Sequence, residues 1–223
     1  MVFLLPPEEK TQFSQYFDII CGDPARGPDR FAFVGIRLLH REIHFRNWFK
    51  INVRLAKQYH RQPFWDVAED MLPLLLKVNP VYFGLETNNM GEGAIDAFSR
   101  LGYSDIRRIT TVPAMNEANR EKNWERMDKP YTVQWLVDCC QKRHSEKPAL
   151  IQFPQKPSAT MRVLIEQILM IQEYKTPSGF TGYKAMSSRH DDLFMAFLMC
   201  CHVARHIMLP YKAQEAPTLE SLR

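Results

Sequence analysis

The segment RHDDLFMAFLMCC sets two adjacent carboxylates, Asp191 and Asp192, at the head of a run that stays apolar for the next nine residues. Such a run reads as the start of a buried helix. Two like charges aimed into that start must be solvated, paired or bound to a cation. Alone, the pair could simply cap the helix. Asp23 follows the apolar run FDIICG and Glu86 ends VYFGLE. With these two acids, the pair becomes the third corner of a candidate metal-binding carboxylate cluster.

Composition narrows the setting. A chain of 223 residues can bury a full core as one large domain or as a domain with a small appendage. Hydrophobic residues at 45% and charged residues at 24% argue for a globular fold and against disorder. The net charge of +4 mildly favours an anionic partner but identifies none. No uninterrupted apolar run reaches the ~18–20 residues needed to span a bilayer, and MVFLLPPEEK lacks the basic start of a secretory signal. An intracellular protein without a membrane partner is therefore expected. The five cysteines are odd in number and form no CxxC, so they are expected to be reduced core thiols.

Residues 1–17 read as an N-terminal arm, broken by Pro6-Pro7, and the first strand is expected over Asp18–Gly22, delivering Asp23 at its end. Arg30–Leu39 and Arg41–Ile51 are rich in aromatic and branched residues and suggest an antiparallel meander that turns near His40. A long helical pattern covers Val53–Val78, divided or kinked by Pro63 and Pro73. Val81–Leu85 resembles a short buried strand, Gly91–Leu101 a helix stopped by Gly102, and Ile106–Val112 another strand. The polar stretch Pro113–Asp128 suits a surface loop. Pro130 opens a helix to about Arg143, Leu150–Phe153 is a short strand, and Ser158 caps a helix running to Tyr174. The last helix is expected from about Asp191 to Met208, leaving 210–223 as a tail with little to bury.

Strands first, then alternating helices and strands, describe an α/β fold: a mixed sheet covered by helices on both faces. In such sheets the ends of adjacent strands open into one crevice, and Asp23 and Glu86 each sit at such an end. Carboxylates that converge there raise one another's pKa and destabilise the fold unless a cation neutralises them. A hard divalent cation such as Mg²⁺ or Mn²⁺ suits an all-oxygen donor set. Two ions held by such acids can hydrolyse a phosphodiester. The plainer alternative stays open: Asp23 begins a turn, Glu86 faces solvent, and Asp191 or Asp192 caps a helix.

Four stretches in order resemble one family. GDPARGPDRFAFVGI is similar to the first strand and turn of the nuclease domain of viral large terminase subunits, the DNA-packaging motors. YFGLETNNMGEGAIDAF resembles that family's second motif, NWERMDKPYTVQWLVDCCQ its Lys/Arg-Pro helix opening, and SRHDDLFMAFLMCC its terminal His-Asp-Asp helix. The resemblance spans roughly residues 18–208. It implies an RNase H-like fold with a mixed sheet of five or slightly more strands, the nuclease domain occupying 18–209. It also implies a two-ion endonuclease acting on double-stranded DNA, with Asp23, Glu86 and Asp191 and/or Asp192 as catalytic metal ligands. Asn89 would support them, and His190 either orients an acid or water or is an exposed helix-capping residue. Met195 stands where many relatives carry a further Asp. Partners implied are the terminase ATPase domain, the small subunit and the portal. Two alternatives stay open: a Holliday-junction-resolvase-like nuclease on the same fold, or an inactive module docking to a packaging motor.

The motor's own signature is missing. Gly22 and Gly27 have phosphate-loop spacing, but Pro28 and Asp29 replace the Lys and hydroxyl that would hold a nucleotide. No nucleotide cofactor is expected. Gly91-Glu92-Gly93 lacks the third glycine of a dinucleotide fingerprint and reads as the opening of a helix. His202 and His206 share a helix face but have no third zinc ligand at a sensible spacing, so core or surface histidines are favoured. Ser187 and Ser188 lie in no nucleophile elbow. For DNA phosphates the candidates are Arg120, Lys122, Arg126 and Lys129 in the polar loop, with Lys184 and Arg189 before the last helix. Trp124 reads either as a base-stacking residue or as an anchor against its own domain.

Overall fold

Strand β1 (Gln15–Asp23) runs through the middle of a mixed seven-stranded sheet and ends at an acid. The sheet comprises β1, β2 (Arg30–Ile43), β3 (Arg46–His60), β4 (Tyr82–Glu86), β5 (Arg107–Val112), β6 (Arg126–Asp128) and β7 (Leu150–Gln152), in the order β6-β5-β4-β1-β2-β3-β7. β1, β2 and β3 form the expected antiparallel meander. β4, β5 and β6 add in parallel beside β1, and β7 runs parallel to β3. This computed structural model describes residues 15–24, 30–43, 46–88, 90–113, 115–142, 149–175, 181–185 and 191–212.

Helices cover both faces, and strand alternation decides which residue meets which layer. Ile20, Phe33, Phe83 and Leu85 point to α1 (Phe64–Val78) and α2 (Gly91–Arg100), forming one buried cluster with Val67, Met71 and Phe98. Ile19, Cys21, Val34 and Tyr82 point to the other face, covered by α4 (Lys129–Gln141), α5 (Ala159–Leu169) and α6 (Asp192–Lys212). The first face suits an amphipathic helix: Phe64, Val67, Ala68, Met71 and Leu75 recur at helical spacing along α1. The second needs more. Every residue from Asp192 to His206 is buried, so α6 is enclosed all round by the sheet and its neighbours. By length and composition Asp192–Tyr211 is apolar enough to cross a membrane, with mean hydropathy 1.5, yet 83% of that window is buried inside the protein. The interior takes the place of lipid.

Several boundaries differ from the sequence reading. Val53–His60, expected to be helical, belongs to β3, which pairs with β2 from end to end. Pairing overrides the local preference of LAKQ, and a bulge where Gly35 and Ile36 meet β3 absorbs the change in register. The meander turns after Ile43, not at His40, which pairs with Phe49. β1 begins at Gln15, three residues before Asp18. The loop expected over Pro113–Asp128 contains a short helix, α3 (Glu117–Lys122), and β6.

The helix capped by Ser158 stops at Leu169, and Ile171–Lys175 instead forms β8, paired with β9 (Thr181–Ala185) outside the main sheet. Pro210, expected to end the last helix, lies inside α6, and of the expected tail 210–223 residues 213–223 lie outside the described residues. Pro63 does precede α1, whereas Pro73 sits within it. All five cysteines are free, four of them buried, but Cys140 is exposed and so not a core thiol.

Candidate active site: four carboxylates at the sheet end

β1 and β4 lie side by side in parallel, with Cys21 opposite Gly84 and Gly22 opposite Leu85. One step further, Asp23 and Glu86 leave the ends of adjacent strands on the face that α6 covers, as Cys21 and Tyr82 do before them. The Asp23 carboxyl is in hydrogen-bond contact with Glu86 and within electrostatic reach of Asp192 and Asp191. Its pKa is raised well above the usual carboxylate value, first by burial, then by Glu86, Asp192 and Asp191. Asp23 therefore holds a proton more firmly than an exposed aspartate.

Glu86 is held from below. Asn88 Nδ2 donates to Glu86 Oε1 at 3.1 Å and to the Thr111 carbonyl at 3.1 Å, fixing the carboxylate against β5. The chain turns sharply here: a Cβ on Gly91 would stand 1.9 Å from the Glu86 carbonyl oxygen. Only glycine lets α2 start this close to the end of β4.

α6 delivers the other two acids. The Asp191 carbonyl accepts the first helical hydrogen bond from Met195 N at 2.8 Å, so Asp191 is the residue that precedes the first turn. Gln167 Oε1 takes the Phe194 N–H at 2.9 Å, satisfying one of the free donors of that turn. The helix N-terminus favours negative charge by ~0.3–1 kcal/mol. Asp191 Oδ2 lies 3.5 Å from Lys129 Nζ at the head of α4. Asp192 is buried, and its Oδ2 accepts from the Arg30 backbone N–H at 3.4 Å. Met195, on the next turn, is a core residue.

The four acids thus meet at one edge, each engaged by a neighbour. In this conformation no group of three His, Cys, Asp or Glu side chains among the described residues could hold a metal ion. The chemistry of the donors still fits a hard cation: all are carboxylate oxygens, and burial together with the neighbouring acids opposes the charge on Asp23.

The remaining candidates divide. Lys129 belongs to the acid site itself. Arg120 is committed to structure: its Nε donates to Asp128 Oδ2 at 2.8 Å, and its guanidinium covers Tyr131. Lys122 and Arg126 are exposed. Asn89, Arg189 and His190 lie outside the described residues, as does the side chain of Lys184. Asn88, not singled out from the sequence, is the amide that holds Glu86; the NN pair gave a signal without saying which member faced the acid.

His202 and His206 are core groups. His202 Nε2 meets the Trp124 carbonyl at 3.2 Å, and Arg205 Nη2 lies 3.2 Å from His206 Nε2. Trp124 stacks between Tyr82 and His206, the anchoring role. Burial, reinforced by the Arg205 charge, pushes His202 down to about 4. Burial, with His202 and Arg205 beside it, pushes His206 down to about 3.

No family model and no curated protein matches this sequence. Solved structures do. The large terminase nuclease from thermophilic phage G20c with bound magnesium superposes with a TM-score of 0.56 at 13% identity, over 84% of this chain and 82% of that one. The nuclease domain of the large terminase subunit of bacterial virus Sf6, with manganese and beta-thujaplicinol, gives 0.57 at 11% identity, over 87% and 91%. The chain has the large-terminase nuclease fold. The corresponding domain of Thermus phage P74-26 gives a TM-score of 0.51 at 14% identity, over 85% of this chain and 78% of that one. Within the terminase nuclease fold of this chain, β1, β4 and the head of α6 supply the acids, and α4 supplies Lys129.

Proposed function

We propose that this chain is a divalent-metal-dependent DNA endonuclease of the terminase type, with little sequence preference, cutting viral DNA during packaging. The observation that carries this reading is the approach of Glu86, Asp191 and Asp192 to Asp23, whose carboxyl pKa is raised by burial and by those three acids. The fold, shared with nuclease domains solved with magnesium, cobalt and manganese, supports it.

The four acids would hold Mg²⁺ or Mn²⁺. Bound there, the ions would supply charge neutralisation, activation of water and stabilisation of the departing 3′ oxygen. The protein's own part is placement. Asn88 keeps Glu86 from turning away, and the start of α6 fixes the spacing of Asp191 and Asp192. Lys129 balances Asp191 until substrate arrives, and its ammonium is then well placed for a phosphate oxygen. Ionisation of Asp23, which burial and the neighbouring acids oppose, would ready the cluster for cations. Water would attack phosphorus in line and give up a proton to solvent, the P–O3′ bond would break, and the leaving oxygen would take a proton from solvent.

The reading extends to double-stranded DNA as substrate, to residues 18–209 as the nuclease domain, and to an intracellular setting. It also takes in association with the terminase ATPase domain, small subunit and portal. Plasmid cleavage with Mn²⁺ tests it. The unaltered chain should nick and linearise DNA, and Asp23→Ala or Glu86→Ala should lower the rate at least about a hundredfold, the scale of losing an electrostatic catalytic group. Cleavage undiminished in both variants would remove the site assignment.

A further inference from the structure

Arg30 opens β2 immediately beside the acid cluster. β2 pairs with β1 so that Ala32 faces Asp23, and with β3 so that Arg30 faces His60 and Ala32 faces Gln58. Arg30 and Gln58 are therefore diagonal neighbours on one face of the sheet. That face is the one α6 covers, since Ala32 and Val34 belong to the core beneath it. The Arg30 backbone N–H reaches Asp192 Oδ2, so the residue is anchored at the site by its main chain.

Its side chain does something unexpected of a cation next to four carboxylates. Arg30 Nη1 donates to the neutral Gln58 Oε1 at 3.1 Å, in an exposed position, and no carboxylate pairs with it among the described residues. Lys129, on the Asp191 flank, is by contrast occupied by Asp191. Orienting the Gln58 amide oxygen toward Arg30 leaves Gln58 Nε2 a buried donor with no acceptor, so the amide is committed to Arg30 at the expense of its own second group.

We propose that Arg30, held by Gln58, is a phosphate clamp for the DNA strand beside the acid cluster, on the Asp192 flank. The proposal rests on the nuclease reading for its substrate. The physical logic is that an amide positions a guanidinium without neutralising it, leaving a planar fork of donors that matches phosphate oxygens. A carboxylate at position 58 would hold the same geometry and spend the charge.

Salt dependence of DNA binding reads this directly, because each phosphate that a cation neutralises adds about 0.9 to the steepness of log K against log salt. A short fluorescent duplex is titrated with the full chain carrying Asp23→Asn, in Mg²⁺, between about 0.05 and about 0.3 M salt. Adding Arg30→Ala should flatten the slope by the share of about one phosphate and weaken binding severalfold at about 0.1 M salt. Arg30→Lys should keep the slope and lose part of the affinity.

Gln58→Glu is the decisive variant. It should weaken binding and flatten the slope as Arg30→Ala does, while thermal stability stays at or above that of the parent. Slope and affinity unchanged in both Arg30→Ala and Gln58→Glu would overturn the clamp, as would no duplex binding by the parent. Failure of the nuclease reading shows separately, as a probe cut at the normal rate despite Asp23→Asn.

Discussion

Acidification should loosen the protein through His202, and the structure sets the size of the effect. The imidazole is buried in α6, donates from Nε2 to the Trp124 carbonyl, and is held neutral down to about 4 by burial and by the Arg205 cation. In the unfolded chain the same ring takes its proton near pH 6.5. Between those two values the unfolded state binds more protons than the folded one, so stability falls as pH falls. Each pH unit in that window costs about 1.4 kcal/mol per histidine. From about pH 7 to about pH 5.5 the loss assigned to His202 is about 1.2 kcal/mol, rising to about 3 kcal/mol at about pH 4.

His206, pushed down to about 3, acts in the same direction. Asp23 acts oppositely: its raised pKa lets the folded state take up a proton first, so acidification relieves the acid cluster. A comparison of variants separates these. Urea unfolding of wild type and His202→Gln at about pH 7 and about pH 5.5 should show the wild type losing about 1.2 kcal/mol more than the variant. That is roughly 0.4 M in midpoint for a slope near 3 kcal/mol/M. Glutamine keeps a donor for Trp124 and cannot titrate. The Asp23 contribution is common to both proteins and cancels. Equal pH dependence in the two would show that His202 is not held neutral by the interior, and the account of the α3–β6 segment docking on α6 would fall with it.

Two further outcomes follow from the acid site. Asp23→Asn keeps a donor for Glu86 while deleting a charge that burial and three acids oppose. With metal chelated at about pH 8 it should therefore stabilise the fold by on the order of 1 kcal/mol or more, a gain that shrinks on acidification as Asp23 itself becomes protonated. A loss of stability in the urea midpoint would argue against crowding of the carboxylates. Gly91→Ala drives a methyl into the Glu86 carbonyl, and backbone cannot yield as a side chain can. It should cost about 3 kcal/mol or more in thermal or urea unfolding. Gly102→Ala, strained only by its positive φ of 89° with open space around it, should cost about 1 kcal/mol. Equal costs would refute the close approach.

Much of the fold was legible because short strands ended in clear punctuation. Gly22-Asp23, Glu86 before the NN turn and Gly102 after α2 each mark an element end in sequence, and each lies within a residue or two of the observed boundary. Where the reading failed, the deciding partner was distant. Val53–His60 carries residues that suit a helix, but β2 offers a full-length ladder and the bulge lets β3 follow it. Ile171–Lys175 continues a helical pattern on paper. Strand β9, ten residues on, supplies the alternative. Pro210 reads as a stop because its ring forbids one hydrogen bond, yet near the end of α6 that single loss is tolerated by a helix whose preceding turns are buried.

The site divides along the same line. Acids at strand ends are visible in sequence because the hydrophobic run before them says where the side chain emerges. The groups that tune them are not, since each reaches the cluster from another element by pairing or packing. Lys129 reads as one more loop cation until α4 brings it to Asp191. Arg30 reads as the first residue of a strand until register sets it against Gln58 and its amide against Asp192. A carboxylate cluster becomes a useful site only when its surroundings choose which charges to neutralise and which to leave free. Here that choice is made by register: one residue of slip in β2 against its neighbours would turn Arg30 to the opposite face, away from Gln58 and from the acids.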